Sequence, residues 1–262
     1  MTPESAWADF FPRIRTAVFL AISATIALTF GGYIFGFFLL LAVALIHWEL
    51  GCMLNPLSRQ SGYFAAGSSA VFFGLAIISI SLEWSLICVG LGSAVQLMFF
   101  QRFKRLGLII SISTLLVSLL IFNVRFSLGL FVVLWLIGVV VVTDVGGYFG
   151  GRLFGGSKLI PRYSPQKTWA GTLTGWTFAI ALSLYFGEGV LPGLSLQQTV
   201  IIALSLSIAS QVGDIFESAF KRACNVKDSS SLLPGHGGLM DRLDGMIAAS
   251  LVFGLVIFLA GL

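Results

Sequence analysis

The sequence predicts an all-α, polytopic integral membrane protein with about nine transmembrane helices, and three observations favour this fold class. First, 57% of the 262 residues are hydrophobic and only 10% are charged, whereas soluble domains carry about 25% charged residues. Second, the mean hydropathy is +0.99. Third, apolar runs of about 20 residues, long enough to cross a bilayer, recur along the chain. This composition excludes a soluble enzyme, a disordered protein and a nucleic-acid-binding protein.

Nine apolar runs are candidates for membrane spans. They cover residues 16–31, 34–54, 63–82, 84–101, 106–123, 127–149, 168–187, 197–219 and 240–261. The first two runs meet at Gly31, Gly32 and Tyr33. Together they exceed one bilayer crossing, so we predict two helices joined by a tight glycine turn. We predict a single integral membrane domain over residues 1–262, with its motif-bearing part at about 144–245.

The basic residues predict the orientation of these spans. If the nine runs alternate across the membrane, every basic residue except Arg125 falls in loops on the same side. An excess of Lys and Arg marks the cytoplasmic side. We therefore expect a cytoplasmic N-terminus and a C-terminus on the outside.

Carboxylates within or beside the apolar runs are the main functional signal. An acid in a membrane segment is costly unless it faces a cavity, a partner or an ion. Asp144 lies inside the sixth run, and Asp214 and Glu217 lie in the eighth. Lys221 follows at a spacing that places it on the same helix face as these last two acids. These residues are therefore candidates for a polar site at the cytoplasmic ends of the helices.

A segment rich in Gly and Pro, residues 233–238, precedes the ninth run and cannot be helical. Such a turn can bring backbone N–H groups close to a phosphate at the start of the next helix. Asp241 and Asp244 follow at i, i+3 and share one face of that helix. Carboxylates from two helices beside clustered Lys and Arg suit a polyphosphate held by Mg²⁺. For the basic residues alone, a solvated loop with salt bridges stays open as the alternative.

A second polar segment covers residues 144–171 and is rich in glycine. Its glycines permit close helix packing, which does not explain Asp144 in an otherwise apolar helix. Further along, Lys167 can reach a phosphate from the mouth of the next helix. Ser164 can cap a turn there, although Ser164-Pro165 could equally be a simple helix start.

Outside these two segments the polar signals are weak. His47, Trp48 and Glu49 stand at the cytoplasmic end of the second run. They could line a site, but an interfacial Trp is common at this depth, so we favour helix packing.

These motifs resemble the signature of the phosphatidate cytidylyltransferases, the CDP-diacylglycerol synthases. The main match is residues 218–228 followed by 233–244, and residues 144–148, 164–168 and 213–218 resemble other family segments in the family's order. Two positions depart from the family pattern. Ser230 stands where the family has Gly, and Ala170 stands where relatives often have Glu or Gln.

The resemblance implies transfer of CMP from CTP to phosphatidate, with release of pyrophosphate. The lipid phosphate is itself the nucleophile, so the residues are needed for positioning and charge neutralisation. The resemblance implies Mg²⁺ held by Asp214, Asp241 and Asp244, with Asp144 as a ligand or a neighbour of one, and K⁺ as a candidate second ion. The implied catalytic residues are Asp214, Lys221, Lys227, Asp241 and Asp244. The implied substrate-binding residues are Ser164, Lys167, Arg222, His236 and Arg242.

The resemblance also implies the protein's partners and location: CTP and phosphatidate as substrates, surrounding membrane lipid, no nucleic acid, a homodimer, and the bacterial inner membrane with the site facing the cytoplasm. One alternative is a cytidylyltransferase for another lipid phosphate. Another is an ion-coupled transporter, because buried aspartates also mark ion pathways. The acids cluster with cations at one membrane face rather than at the midplane, which disfavours a transporter.

Overall fold

Nine α-helices and one β-hairpin make up the part of the chain that the computed structural model describes, residues 10–79, 81–161, 163–186 and 188–262. The first five helices are α1 (Phe10–Phe30), α2 (Gly32–Leu54), α3 (Arg59–Ile78), α4 (Leu82–Gln96) and α5 (Lys104–Ser127). The later elements are α6 (Leu130–Phe154), strands β1 (Lys158–Ile160) and β2 (Ser164–Thr168), α7 (Trp169–Phe186), α8 (Leu196–Ala223) and α9 (Met240–Ala260).

The helices confirm the predicted class of all-α, polytopic membrane protein. Within the described ranges, six helices are long and apolar enough to cross a membrane: α2, α3, α5, α6, α8 and α9. The apolar part of α1, Ile14–Phe30, and helix α4 are shorter. Each predicted run coincides with one helix, but nine membrane crossings and their orientation stay predictions.

The β-hairpin was not predicted from the sequence, which indicated only helices and loops. Strands β1 and β2 pair antiparallel, with Lys158 opposite Thr168 and Ile160 opposite Ser164. Ser164 therefore lies in a strand, and the next helix begins only at Trp169. Pro165 restricts its neighbour to extended backbone, which suits a strand better than the helix start considered from the sequence.

The predicted glycine turn between the first two helices is confirmed. Gly31 has φ +64° and Gly32 has φ +51°, the left-handed region that glycine enters without strain. The Arg125 side chain donates from Nε to the Leu28 carbonyl at 2.8 Å and from Nη2 to the Thr29 carbonyl at 3.3 Å. Arg125, the one basic residue predicted on the outer side, thus satisfies carbonyls at the end of α1 that the helix leaves without partners.

The described residues divide into two compact units. Unit 1 contains those of Met1–Phe126 together with Cys224–Arg242, and unit 2 contains those of Ser127–Ala223 and Leu243–Leu262. Unit 1 therefore holds helices α1 to α5 and the loop that leads into α9. Unit 2 holds α6, the hairpin, α7, α8 and most of α9. That residues 1–262 act as one integral membrane domain stays a prediction.

Glycine lets helices approach closely within unit 2. A Cβ atom at Gly171 of α7 would lie 2.5 Å from the carbonyl oxygen of Gly147 in α6. Between α7 and α8, the indole N–H of Trp176 donates to Gln211 Oε1 at 3.0 Å. Small residues and side-chain hydrogen bonds are the usual means of packing helices in a membrane. This packing brings together the polar ends of α6, α7 and α8.

Candidate active site

Unit 2 gathers three carboxylates and two lysines, which we call the acid–lysine cluster: Asp144, Lys167, Asp214, Lys221 and Asp244. Lys167 of β2 forms an ion pair with Asp214 of α8. Asp144 of α6 interacts electrostatically with both members of that pair. Asp244 of α9 interacts with Asp214, Lys221 and Asp144. Five of the residues predicted from the sequence are therefore neighbours in the folded unit.

The close approach of α8 and α9 explains why Asp214 and Asp244 interact. A Cβ atom at Gly213 would lie 2.5 Å from Ala248 Cβ and 2.8 Å from the Asp244 carbonyl oxygen. Only glycine fits between the two helices at this point. Asp214 follows Gly213 directly, and its carboxylate interacts electrostatically with that of Asp244.

Lys221 is held in place by an acid of its own helix. Its ammonium lies 2.6 Å from Glu217 Oε2, one turn earlier on α8, and Glu217 is only 3% exposed. The shared helix face predicted for these residues is thus present. Asp244 also accepts a hydrogen bond through Oδ1 from the N–H of Gly245 at 2.7 Å. Lys221, with Glu217 as its counter-ion, also interacts electrostatically with Asp244.

The donor set of the acid–lysine cluster fits a hard cation by its chemistry. Carboxylate oxygens are the protein ligands that Mg²⁺ takes, and the Asp214 side chain is 35% exposed, so an ion can reach it. Among the residues that the structure describes, no three carboxylate, imidazole or thiol side chains converge into a ready-made metal site.

In unit 1, the loop before α9 contains the predicted turn. The N–H of His236 donates to the Leu233 carbonyl and the N–H of Leu233 to the Gly237 carbonyl, both at 2.8 Å. Gly235 and Gly237 have φ +76° and +81°, so glycine is favoured at both positions. Arg242 donates from Nε and Nη2 to the His236 carbonyl at 3.1 and 2.7 Å. The guanidinium of Arg242 thus stabilises the turn that carries His236.

Asp241 organises the same loop. Its Oδ2 accepts hydrogen bonds from the N–H of Gly238 at 2.8 Å and from the N–H of Ser229 at 3.0 Å. Asp241 lies in the first turn of α9, where a negative charge also interacts favourably with the helix dipole. The loop therefore depends on this carboxylate, a role that the sequence did not reveal. Its predicted role as a metal ligand stays a prediction.

Glu49 has more polar partners than the helix packing expected from the sequence would give it. Its side chain is fully buried at 0% exposure near the end of α2. Its oxygens accept hydrogen bonds from the hydroxyls of Ser229 at 3.0 Å and Ser230 at 2.7 Å. They also accept from the N–H groups of Leu239 and Met240, both at 2.8 Å. The sequence did contain a signal for this role, because an acid inside an apolar run must have polar partners in the folded protein.

The other predicted substrate-binding and catalytic residues lie on three different elements. Ser164 is half-buried in β2, Arg222 is exposed near the end of α8, and Lys227 is exposed in the loop that follows. Their predicted roles in binding phosphate stay predictions.

Known proteins share this sequence pattern. A model of the cytidylyltransferase family matches residues 11–260. The phosphatidate cytidylyltransferase of Brucella suis is 47% identical over 123 residues, which are 47% of this chain and 45% of that protein. The phosphatidate cytidylyltransferase of Haemophilus influenzae is 42% identical over 125 residues, 46% of this chain and 43% of that protein. That of Helicobacter pylori is 39% identical over 131 residues, 50% and 48% of the two chains. The matches thus span about half the length of these relatives.

Proposed function

Because this chain belongs to the cytidylyltransferase family, we propose that it transfers CMP from CTP to phosphatidate, giving CDP-diacylglycerol and pyrophosphate. Relatives named phosphatidate cytidylyltransferase support this choice of substrates. The structural observation that carries the proposal is the acid–lysine cluster. It places carboxylates that can hold a divalent cation beside lysines that can neutralise phosphates.

The proposed reaction is a displacement at the α-phosphorus of CTP. A phosphate oxygen of phosphatidate forms the new P–O bond, and the bond from the α-phosphorus to the α,β-bridging oxygen breaks, with its electron pair leaving on pyrophosphate. The substrate supplies the nucleophile, so the protein contributes position and charge. Lys167 and Lys221 would offset the repulsion between the two phosphate groups. Their ion pairs hold both ammonium groups next to the carboxylates before substrates bind.

We assign Mg²⁺ to the carboxylates of Asp144, Asp214 and Asp244 in unit 2, and Asp241 remains a proposed ligand from the family resemblance. When bound, the ion would neutralise charge on the triphosphate. The implied K⁺ and the implied homodimer remain proposals from the family resemblance. Lys227 and His236 on the loop of unit 1, and Arg242 in the first turn of α9, remain proposed phosphate contacts.

The activity is tested with the detergent-purified protein, Mg²⁺, CTP and phosphatidate. We expect a CDP-lipid detectable by mass spectrometry and one pyrophosphate for each product molecule. Asp214→Asn should lower the rate at least 100-fold, because it removes a charged ligand. Glu188→Gln is the matched control, because Glu188 is an exposed acid in the loop after α7. Absence of a CDP-lipid, together with ion flux in liposomes, would favour the transporter.

For the topology, we propose nine crossings with a cytoplasmic N-terminus, an outer C-terminus and a site facing the cytoplasm of a bacterial inner membrane. The bacterial relatives support this location. The native cysteines are first replaced by serine. In this background, Gln101→Cys or Ser157→Cys should react with an impermeant thiol reagent only in inverted vesicles. Cys at Glu188 should react in intact cells. Labelling of Gln101→Cys from outside would contradict the proposed orientation.

A further inference from the structure

The fully buried carboxylate of Glu49 joins the two ends of the loop before α9. Its Oε2 accepts from the Ser229 hydroxyl and the Met240 N–H, and its Oε1 accepts from the Ser230 hydroxyl and the Leu239 N–H. Each oxygen therefore takes one hydroxyl and one backbone donor. The two hydroxyl donors precede the turn at 233–237 and the two N–H donors follow it, so one side chain of α2 closes the loop.

These bonds have a direct effect on the start of α9. The N–H groups at the beginning of a helix have no acceptor within the helix. Glu49 accepts from Leu239 and Met240 there, and its negative charge lies at the positive end of the helix dipole. The packing is tight, because a Cβ atom at Gly238 would lie 2.5 Å from Glu49 Oε1.

The same loop residues connect Glu49 to Asp241. Ser229 donates its hydroxyl to Glu49 and its N–H to Asp241. On the other side of the turn, Gly238 donates its N–H to Asp241 while the adjacent Leu239 donates to Glu49. The two carboxylates thus hold neighbouring donors on both sides of the loop. A displacement of the loop from Glu49 must also move the donors that orient Asp241.

We propose that Glu49 is a positioning residue, which anchors residues 229–240 to α2 and thereby orients Asp241. The inference rests on the proposed function for its catalytic consequence, because Asp241 is one of the predicted catalytic residues. Glu49 itself touches no reacting atom in this role. It acts through the loop.

Glu49→Gln is the decisive variant. An amide keeps the volume of the side chain but has one accepting oxygen, and its NH₂ group cannot accept from a backbone N–H. The hydroxyl of Ser229 or Ser230 can rotate and accept a hydrogen bond from the NH₂ group of the new Gln side chain. The backbone N–H of Leu239 or Met240 cannot rotate in this way, so one of them is left facing the NH₂ group without an acceptor. Glu83→Gln is the matched control, because Glu83 is an exposed acid of the same unit, in the first turn of α4.

Hydrogen–deuterium exchange of the purified full chain tests the anchor without reference to catalysis. In Glu49→Gln, the amides of residues 229–240 should exchange about 10 to 100 times faster, because a buried donor loses its acceptor. Glu83→Gln should leave them unchanged. Ser230→Ala removes only one of the four donors to Glu49, so it should accelerate exchange less than Glu49→Gln does. If Glu49→Gln does not fold, Ser230→Ala still tests the anchor. Unchanged exchange in folded Glu49→Gln, or in Ser230→Ala when Glu49→Gln cannot be isolated, would overturn the anchor.

Steady-state kinetics test the positioning role at a temperature where each variant is folded. We expect kcat for CDP-lipid synthesis to fall at least tenfold in Glu49→Gln, with KM for CTP changed less than threefold. A merely structural role would lower the melting temperature and leave kcat of the folded protein unchanged, which would overturn the inference. If the unaltered protein makes no CDP-lipid but Glu49→Gln still accelerates exchange, the anchor stands and the proposed function fails.

Discussion

Replacement of Asp241 and of Asp244 should affect stability differently, although the two acids lie one turn apart in α9. Asp241 accepts backbone hydrogen bonds from two loop residues. A bond to a charged acceptor contributes about 1 kcal/mol more than a neutral one, so Asp241→Asn should cost about 2 kcal/mol. Asp241→Ala leaves both donors without this acceptor and should cost about 3 to 6 kcal/mol.

Asp244 has a different environment. Its Oδ1 accepts a hydrogen bond from the adjacent Gly245 N–H, and an Asn oxygen can keep that bond. It also interacts with the like charges of Asp214 and Asp144, a repulsion that Asn removes, while the attraction to Lys221 is lost. These effects offset each other, so Asp244→Asn should lie within about 1 kcal/mol of the unaltered protein.

The assay is thermal unfolding in detergent without added Mg²⁺, combined with initial rates of CDP-lipid formation. The expected order of melting temperatures places Asp244→Asn near the unaltered protein, then Asp241→Asn, then Asp241→Ala. Asp244→Asn should nevertheless lose at least 100-fold in turnover, because the removed charge belongs to the acid–lysine cluster. If Asp244→Asn melts as early as Asp241→Ala, or if Asp241→Asn melts normally, the assigned hydrogen-bonding roles are wrong.

Two further predictions concern packing and thiol reactivity. Gly171→Ala should destabilise the protein by about 1 to 3 kcal/mol, because its Cβ would lie 2.5 Å from the Gly147 carbonyl oxygen, whereas Gly67→Ala in α3, with nothing within 4 Å, should be neutral or stabilising. Thermal unfolding of both variants measures the difference. Burial raises the pKa of the Cys224 thiol, against a smaller opposing effect of Arg102. Less thiolate is therefore present at pH 8 than for an ordinary cysteine, so alkylation of Cys224 in a variant without other cysteines should be slower than in the unfolded chain and should accelerate as the pH rises. Equal rates in both states would contradict this.

The hydropathy of the chain determines the helices, because the apolar length needed for a bilayer is a local property of the sequence. The turn at Gly31 and Gly32 and the non-helical segment before α9 were predicted for the same reason, since backbone conformations that favour glycine depend mainly on the residue itself. The motifs also identified the polar residues that unit 2 brings together, such as Asp214 and Lys167.

Tertiary structure alone decided which partner each polar residue has. Glu49 and Ser229 are separated by 180 positions in sequence, and nothing in either neighbourhood indicates that they meet. The hairpin at 158–168 likewise depends on pairing between two short segments, which neither segment specifies alone. An acid in an apolar helix shows that a partner must exist, because an uncompensated buried charge is too costly. Which donor takes that place depends on how the helices and the loop pack in three dimensions.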